Sequence, residues 1–413
     1  VKYQYNFTIK GRNWIHRVPV ITIPIHKACF VKAHLVIILL LFASCTQDPD
    51  LKLPQHVEEM ENVNVIKSDH QHRSISFIKD QVFIDLNNHI IGSLGSVVID
   101  DIGRVYVADL SQKVVHVFNK NGSYLTSLGR DGFGPGEFNY ISSMQINNNS
   151  IYVHDWYQKR IHVFSLNSLK FERTIMFNHV SNHSLNLQSK TLNLFFVRSD
   201  GSMLMSFSNP RDQFLNEINE FYFVDSKGRI KSERVFVEKD VRYRYQIPVM
   251  GMVVVLPFYR KSLIAMSNDD YIFKAWSEEL LIQVHDSSGN YKYSLYYPYK
   301  NVKLKFDDIA RSYEDTEALN AIRNAEYEEE TWPALNDFIV DDEKNIWIST
   351  IVEDFDIYAW WVLENTGEVI TKFEWPRNKP IEVVKNSYIY TRQTDKETGL
   401  QQIVRYRIEF EDV

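Results

Sequence analysis

Cysteine is nearly missing from this chain of 413 residues: there are two, Cys29 and Cys45, and both lie within the first fifty positions. The body that follows therefore has no disulfide, no thiolate metal site and no cysteine nucleophile. Histidine also runs out, the last being His285, so nothing beyond it can offer an imidazole to a zinc centre. Glycine and proline stand at 15 and 12, which excludes a collagen-like or low-complexity chain. The longest strongly apolar run, residues 35–42, is too short to cross a bilayer of roughly 30 Å as a helix. Positive charge is scarce where it would matter. Six basic side chains and no acidic one fall in residues 1–44, and subtracting them from the net −7 leaves −13 for the rest. An acidic body excludes nucleic acid as the main partner, since phosphate binding needs a positive surface.

What is present is 44% hydrophobic and 14% aromatic, with Tyr and Phe dominating the rings, a composition that favours strands around a large core. Two stretches repeat at a spacing of 46 residues. Val105-Tyr106-Val107-Ala108-Asp109 and Lys113-Val114-Val115-His116-Val117-Phe118 return as Ile151-Tyr152-Val153-His154-Asp155 and Lys159-Arg160-Ile161-His162-Val163-Phe164. A repeat of this length, with strand-like alternation and Gly-marked turns, is a small sheet that must stack on copies of itself. The expected fold is an all-β, six-bladed β-propeller of four-stranded antiparallel blades, with seven blades as the alternative.

Blades one and two span about residues 96–128 and 142–175. Blade three is read at 194–198, 202–208 and 221–224, blade four at 253–256, 263–267 and 280–285, and blade five at 337–340, 346–350 and 360–363. Blade six has only 381–384, 388–391 and 403–410, so residues 81–86 are expected to pair on its outer edge and close the ring. Apolar residues at helical spacing among many acidic ones predict a helical insertion over about 307–330, ended by Trp332-Pro333. The resulting domains are a leader at 1–44, a polar tether at 45–72 and the propeller at 73–413.

The leader has a basic start, the apolar core 35–42, the small pair Ala43-Ser44, and then Cys45. These residues resemble a bacterial lipobox, with Phe42 where the common pattern has Leu. The resemblance implies that Cys45 is lipidated and holds the protein at a membrane without a spanning segment. The chain begins with Val rather than Met, and the long basic stretch before the apolar core is read as an upstream misassignment of the start. Blades one and two, with the run Leu128-Gly129-Arg130-Asp131-Gly132-Phe133-Gly134-Pro135-Gly136-Glu137-Phe138, look like NHL-type repeats. Together with the lipobox they resemble the six-bladed propeller lipoproteins of Bacteroidetes. That family implies the cell envelope, outer membrane on its periplasmic or surface face, and does not imply an activity.

Each chemical motif has a structural reading beside the functional one. The Gly129–Phe138 run lacks the Gly-Lys-Ser/Thr ending of a phosphate loop and reads as a blade crossover. Asp109 and Asp155 read as turn caps. Six-bladed lactonases hold a divalent ion such as calcium in the central channel on oxygen ligands. The inner strands here offer Asp100, Asn147, Asn336 and Asp337, spread unevenly, and only Asn336 and Asp337 are kept as a weak metal alternative. No catalytic residue and no cofactor is predicted; a divalent cation belongs to the alternative reading, a metal-dependent hydrolase or lactonase.

The better lead is geometric. Loops joining second to third strands share a face with the crossovers between blades. They are short in blades one and two and read as long in blades three (209–220), four (268–277), five (351–357) and six (393–400). Function is expected on that built-up face. Arg130, Trp156, Tyr157, Arg211, Tyr271 and Trp276 are its candidate contacts for an envelope protein, a peptide or a glycan. Trp347, Trp360 and Trp361 are expected to pack between blades.

Overall fold

The computed structural model describes residues 53–67, 72–84, 90–147, 149–176, 190–208, 216–241, 244–247, 252–311, 313, 316–323 and 329–412. The leader with Cys45, and Arg211, lie outside the described residues.

Six antiparallel four-stranded units form the propeller, so the seven-blade alternative falls. Blade one holds strands Leu94–Ile99, Val105–Asp109, Val114–Phe118 and Tyr124–Leu128; blade two holds Ile141–Asn147, Ser150–Asp155, Arg160–Ser165 and Phe171–Met176. Blade three follows with Thr191–Val197, Met203–Ser208, Asn216–Val224 and Phe236–Val241. Blade four has Ser262–Met266, Ile272–Trp276, Leu280–His285 and Tyr291–Tyr297, and blade five has Leu335–Val340, Ile346–Ile351, Ile357–Leu363 and Val369–Pro376. Blade six is Ile381–Lys385, Tyr388–Thr394 and Gln401–Asp412, completed by the N-terminal strand Arg73–Phe83. That closing strand begins earlier than its sequence signal: Phe83 pairs with Ile403 and Arg73 with Asp412. Joining the two chain ends in one sheet removes the seam of the ring.

The core is a cycle of interfaces between neighbouring blades. Val115, Val117 and Leu128 of blade one meet Ile141, Met144 and Val153 of blade two. Blades two and three share Ile161, Phe195 and Met205, blades three and four share Leu204, Phe221 and Ile272, and blades four and five share Phe273, Ile282 and Leu335. Trp347 and Trp360 face blade six while their neighbour Trp361 faces blade four, as period-two alternation requires. Phe83, Tyr390 and Ile403 close the cycle against Val97, Val105 and Phe118. Each blade thus buries both faces only because it has two neighbours.

Two segments differ from the sequence reading. Residues 253–256 are not part of blade four; strand Met252–Val255 pairs with Arg244–Ile247 in a separate hairpin, and Ile272–Trp276 is the blade's second strand. The polar stretch read as a tether is docked from residue 53 onward. Helix α1 (Gln55–Glu58) sets Val57 against Leu281 and Tyr296, strand Val63–Val65 adds parallel to the outer strand of blade four, and Ile66 enters the core between blades four and five. Those few apolar side chains suffice to seat it, and the added strand covers an open sheet edge.

Candidate functional site

Strand order gives the propeller two unlike faces. The turns joining first to second and third to fourth strands form one, and the second-to-third loops with the blade crossovers form the other. The turn face is uniform. Asp100, Asp225, Asp286 and Asp341 each accept backbone amides two and four residues on, and Gly122, Gly228, Gly289 and Gly367 take the left-handed conformation that closes the outer turns.

The crossover face is lopsided. Between blades three and four it carries the hairpin, and between blades four and five the helices α2 (Phe306–Ala310) and α3 (Thr316–Arg323), where the sequence predicted one insertion. Strand Arg244–Ile247 of the hairpin lies against α3. These pieces share a core of their own: Leu256, Phe258, Ile309, Ile322, Trp332 and Ile351, flanked by Phe306, Tyr313, Phe355 and Tyr358. Trp332 therefore anchors the cap and does more than end a helix. Arg260, buried to 6% exposure, pins the two crossovers together by donating to the carbonyls of Phe258 (2.7 Å) and Thr331 (2.9 Å) and pairing with Glu278. Arg377 lies between the rings of Phe355 and Tyr358, 4.1 and 4.4 Å from their centroids, and burial holds its pKa below the usual guanidinium value. The built-up face is thus made chiefly by two crossovers. The connection expected to be long in blade four is short, because residues 272–276 form a strand; part of the blade-three loop lies outside the described residues.

At the axis, a device recurs that sequence reading missed. In five of six blades the first strand shifts register near its start: at Leu94/Val97, Ile141/Ser143, Leu192/Leu194, Leu335/Asp337 and Ile381/Val383. Each bulge lies between two buried apolar residues three apart, such as Leu335 and Phe338 or Ile381 and Val384. The signal was an apolar-x-x-apolar spacing at every strand start. The intervening pairs are Gly95-Ser96, Ser142-Ser143, Asn193-Leu194, Asn336-Asp337 and Glu382-Val383, of which Leu194 and Val383 pack into the cores between blades. Arg392 reaches two of these strand starts, donating to Glu382 (2.8 Å) and to the carbonyls of Leu94 (2.8 Å) and Gly95 (2.9 Å), and so latches blade six to blade one. Burial raises the Glu382 pKa against the pull of Arg392. Asp337 meets water in the channel but has protein around it. That burial raises its pKa, opposed by Lys261 and by the Phe338 amide at 2.9 Å.

Asn336 and Asp337, the pair kept for the weaker metal reading, are consecutive on the strand Leu335–Val340. Asn336 donates its amide to Ser349 at 3.2 Å, and among the described residues no group of three or more His, Cys, Asp or Glu side chains gathers at metal range.

On the opposite side of the same face, blades one and two carry an aromatic rim. Buried Asp155 holds it by accepting the amides of Asn139 (2.6 Å), Tyr140 (3.4 Å) and Gln158 (3.0 Å) and the Gln158 side chain (2.7 Å). Asp109 does the same in blade one. Burial would raise its pKa, but the amides of Gln112, Gly92 and Ser111 outweigh that and lower it. Both aspartates cap turns and also stitch the preceding crossover. The Gly129–Phe138 run is that crossover: Gly129 and Gly136 take φ of 71° and 74°, and a Cβ on Gly129 would meet the buried Phe138 ring. From this frame Phe133, Tyr140, Trp156 and Tyr157 project at 69%, 48%, 45% and 67% exposure.

Of the six candidate contacts, Arg130, Trp156 and Tyr157 meet on this rim, with Phe133 and Tyr140 as the members sequence reading missed. Trp276 is half-buried on blade four, where it lines a groove of about 450 Å³ with His56 and Met60 of the docked N-terminal segment. Tyr271 belongs to the opposite face: it follows the first turn of blade four and lines a cavity of about 370 Å³ with Asn64, Phe273, Tyr293 and Lys344. Its misplacement follows from reading the second strand of that blade as a loop.

Residues 54–253 match a family model described as a 6-bladed beta-propeller, DUF5128. No curated protein matches the chain. Among solved structures the chain is similar to a protein of Bacteroides fragilis at 13% identity, covering 84% of this chain and 99% of that one with a TM-score of 0.49. It is similar to a member of the DUF4221 family from Bacteroides vulgatus at 9%, covering 83% and 100% with a TM-score of 0.49. It is also similar to regucalcin, a calcium-binding protein of Agrobacterium tumefaciens, at 10%, covering 86% and 99% with a TM-score of 0.38. No activity is carried over from any of them.

Proposed function

We propose that this protein is an envelope lipoprotein, anchored through Cys45, whose propeller binds a peptide, glycan or protein partner on its crossover face. The observation that carries this reading is the one-sided cap: two crossovers far longer than a blade needs, folded on a core of their own above a rigid ring. Elaborated loops on a rigid scaffold are where binding residues concentrate. The anchor rests on the lipobox-like leader, and among the described residues no helix is long and apolar enough to cross a membrane.

Site-specific photo-crosslinking in native envelopes tests the face. A crosslinker replacing exposed Arg311 on the cap is expected to capture a discrete partner that one replacing exposed Asn121, on the turn face, does not. Equal products from both positions would overturn the assignment. Cys45→Ala is expected to release the protein from the membrane fraction; full retention would remove the anchor.

A further inference from the structure

The ring closes without residues 53–67. Strand Arg73–Phe83 already completes blade six, so the segment docked before it on blade four needs a purpose of its own. Its course over that blade runs down the outer edge and back. His56 meets Glu279 at 2.9 Å, in the second-to-third loop and therefore on the crossover side. Glu61 and Asn62 reach the other end, where the Tyr291 hydroxyl donates to the Glu61 carbonyl at 2.5 Å and the Asn62 side-chain amide to the Lys292 carbonyl at 3.2 Å. The chain then turns back: Val63 pairs with Ser294, Val65 with Tyr296, and the Ile66 amide donates to the Tyr296 carbonyl at 2.8 Å. Leu53, Val57, Met60 and Val63 seat this path on Leu281 and Tyr296. The docked segment thus begins at the crossover end of blade four.

The same loop holds the cap. Glu278, next to Glu279, pairs with Arg260, whose guanidinium also donates to the Thr331 carbonyl, and the Glu278 carbonyl accepts the Asn301 side-chain amide at 2.9 Å. One short loop therefore carries the start of the docked segment on one residue and the latch of both crossovers on the next. Seven residues separate Cys45 from Leu53, and a chain of that length spans at most about 29 Å when fully extended. An undocked tether running to Arg73 would allow roughly 100 Å. With Cys45 acylated, docking keeps the cap-bearing side of blade four close to the lipid surface. The cap is not built to enter that lipid: among the described residues, none of the large hydrophobic side chains left exposed lies in 256–376. What a cap held there can meet is protein.

We propose that residues 53–67 are an orienting strap that holds the cap toward the membrane, and that the partner of the cap is a protein embedded in that membrane. This deepens the anchored binding-face reading above and rests on it.

Energy transfer from the acylated protein, reconstituted in vesicles that carry an acceptor lipid, tests the orientation. The donor is attached at Lys300→Cys, exposed just beyond the crossover end of the outer strand of blade four, or at Ser288→Cys, exposed in the turn at its other end. The strand of seven residues between them sets the two sites about 20 Å apart, and transfer is expected to be about twofold or more higher from position 300. An insertion of about twenty Gly and Ser residues between Lys52 and Leu53 lengthens the leash without touching the docked contacts, and should bring the two signals together. Equal transfer from both sites, or a difference that the insertion leaves unchanged, overturns the strap. Failure of the protein to stay with the vesicles removes the anchor reading itself, and the proposal falls with it. For the partner, the protein identified by mass spectrometry in the Arg311 product is expected to resist extraction of whole envelopes with alkaline carbonate. Its release into the supernatant overturns the partner class and leaves the strap standing.

Discussion

Blades one and two and blades four and five are built on the same strand order, yet they spend sequence differently. In the first pair the loops joining second to third strands are short, a buried aspartate caps each of them, and aromatic side chains remain in water at the rim. In the second pair the crossovers grow into a cap whose aromatics, Phe258, Trp332 and Phe355, pack on one another. Among the described residues, one half therefore leaves its rings exposed, while the other encloses its rings to make a second small core. A propeller tolerates both because each blade is held by its neighbours, not by its loops.

Acid should separate the halves most strongly. His154 and His162 of blade two are buried, and burial lowers both pKa values to about 4, with Asp155 opposing the shift. His162 also accepts the Gly136 amide on Nδ1 at 3.2 Å, a bond its protonation would break. In the unfolded chain both imidazoles take up a proton near pH 6.5. Between 6.5 and 4 the unfolded state therefore binds more protons, and stability falls across that window before levelling off. The loss is about 3 kcal/mol for each residue. Blade four adds one such group, His285, whose pKa burial also lowers; blades five and six contain no histidine. Hydrogen exchange at pH 4, corrected for intrinsic rates, should show blade two losing protection while blade five keeps it. Uniform loss around the ring would break the distinction.

The cap offers the next test. Arg260→Ala removes hydrogen bonds from a buried guanidinium to two crossovers and should cost about 3 kcal/mol. Chemical denaturation measures it. If the cap is a unit of its own, exchange should rise first in α2, α3 and the hairpin, with blades one and two unaffected.

How much of this could be read in the sequence divides along the same line. Asp109 and Asp155, the Gly-marked turns and the alternating Val-Tyr-Val strands announced blades one and two because local residues alone determine them. Blade four was misread because Met252–Val255 is richer in β-branched residues than Ser262–Met266, and propensity does not say which sheet a strand joins. The docking of Val57 and Ile66 was invisible for a similar reason, since a polar stretch with a few apolar residues becomes structured only through distant partners. On the rim, Arg130, Trp156 and Tyr157 were legible as solvent-facing loop residues, whereas Tyr140 joins them only because Asp155 draws its backbone in. Asp337 was noticed as a possible ligand, but the groups that act on its charge, Lys261 and Glu382, come from segments that the sequence keeps far apart.

Asp337 bears on the comparison because it stands at the first-strand bulge of blade five, in the capped half. With its pKa raised by burial, the fold holds its proton more tightly than the unfolded chain, and stability declines as pH climbs from the ordinary carboxyl value through the raised one. Asp337→Asn should remove that decline and stabilise the protein at neutral pH. Channel water screens the charge, so the gain stays below about 1 kcal/mol. Thermal melts of both proteins at pH 4 and 8 read it: the difference should appear at the higher pH and shrink at the lower. A variant less stable at both would mean that the carboxylate has a structural partner in the ring.

The smallest expected effect is the most informative about the two halves. Trp156 and Tyr157 are 45% and 67% exposed and touch mainly Tyr140 and each other, so Trp156→Ala and Tyr157→Ala should change stability by no more than about 0.5 kcal/mol. Phe258→Ala, a fully buried ring in the cap, should cost roughly 3–5 kcal/mol by contrast. A large loss at Trp156 would make the rim a packing element like the cap, and its exposure would need no ligand to explain it. A negligible loss means that the fold does not depend on these rings, and whatever keeps large aromatics in water at this rim acts through what they contact.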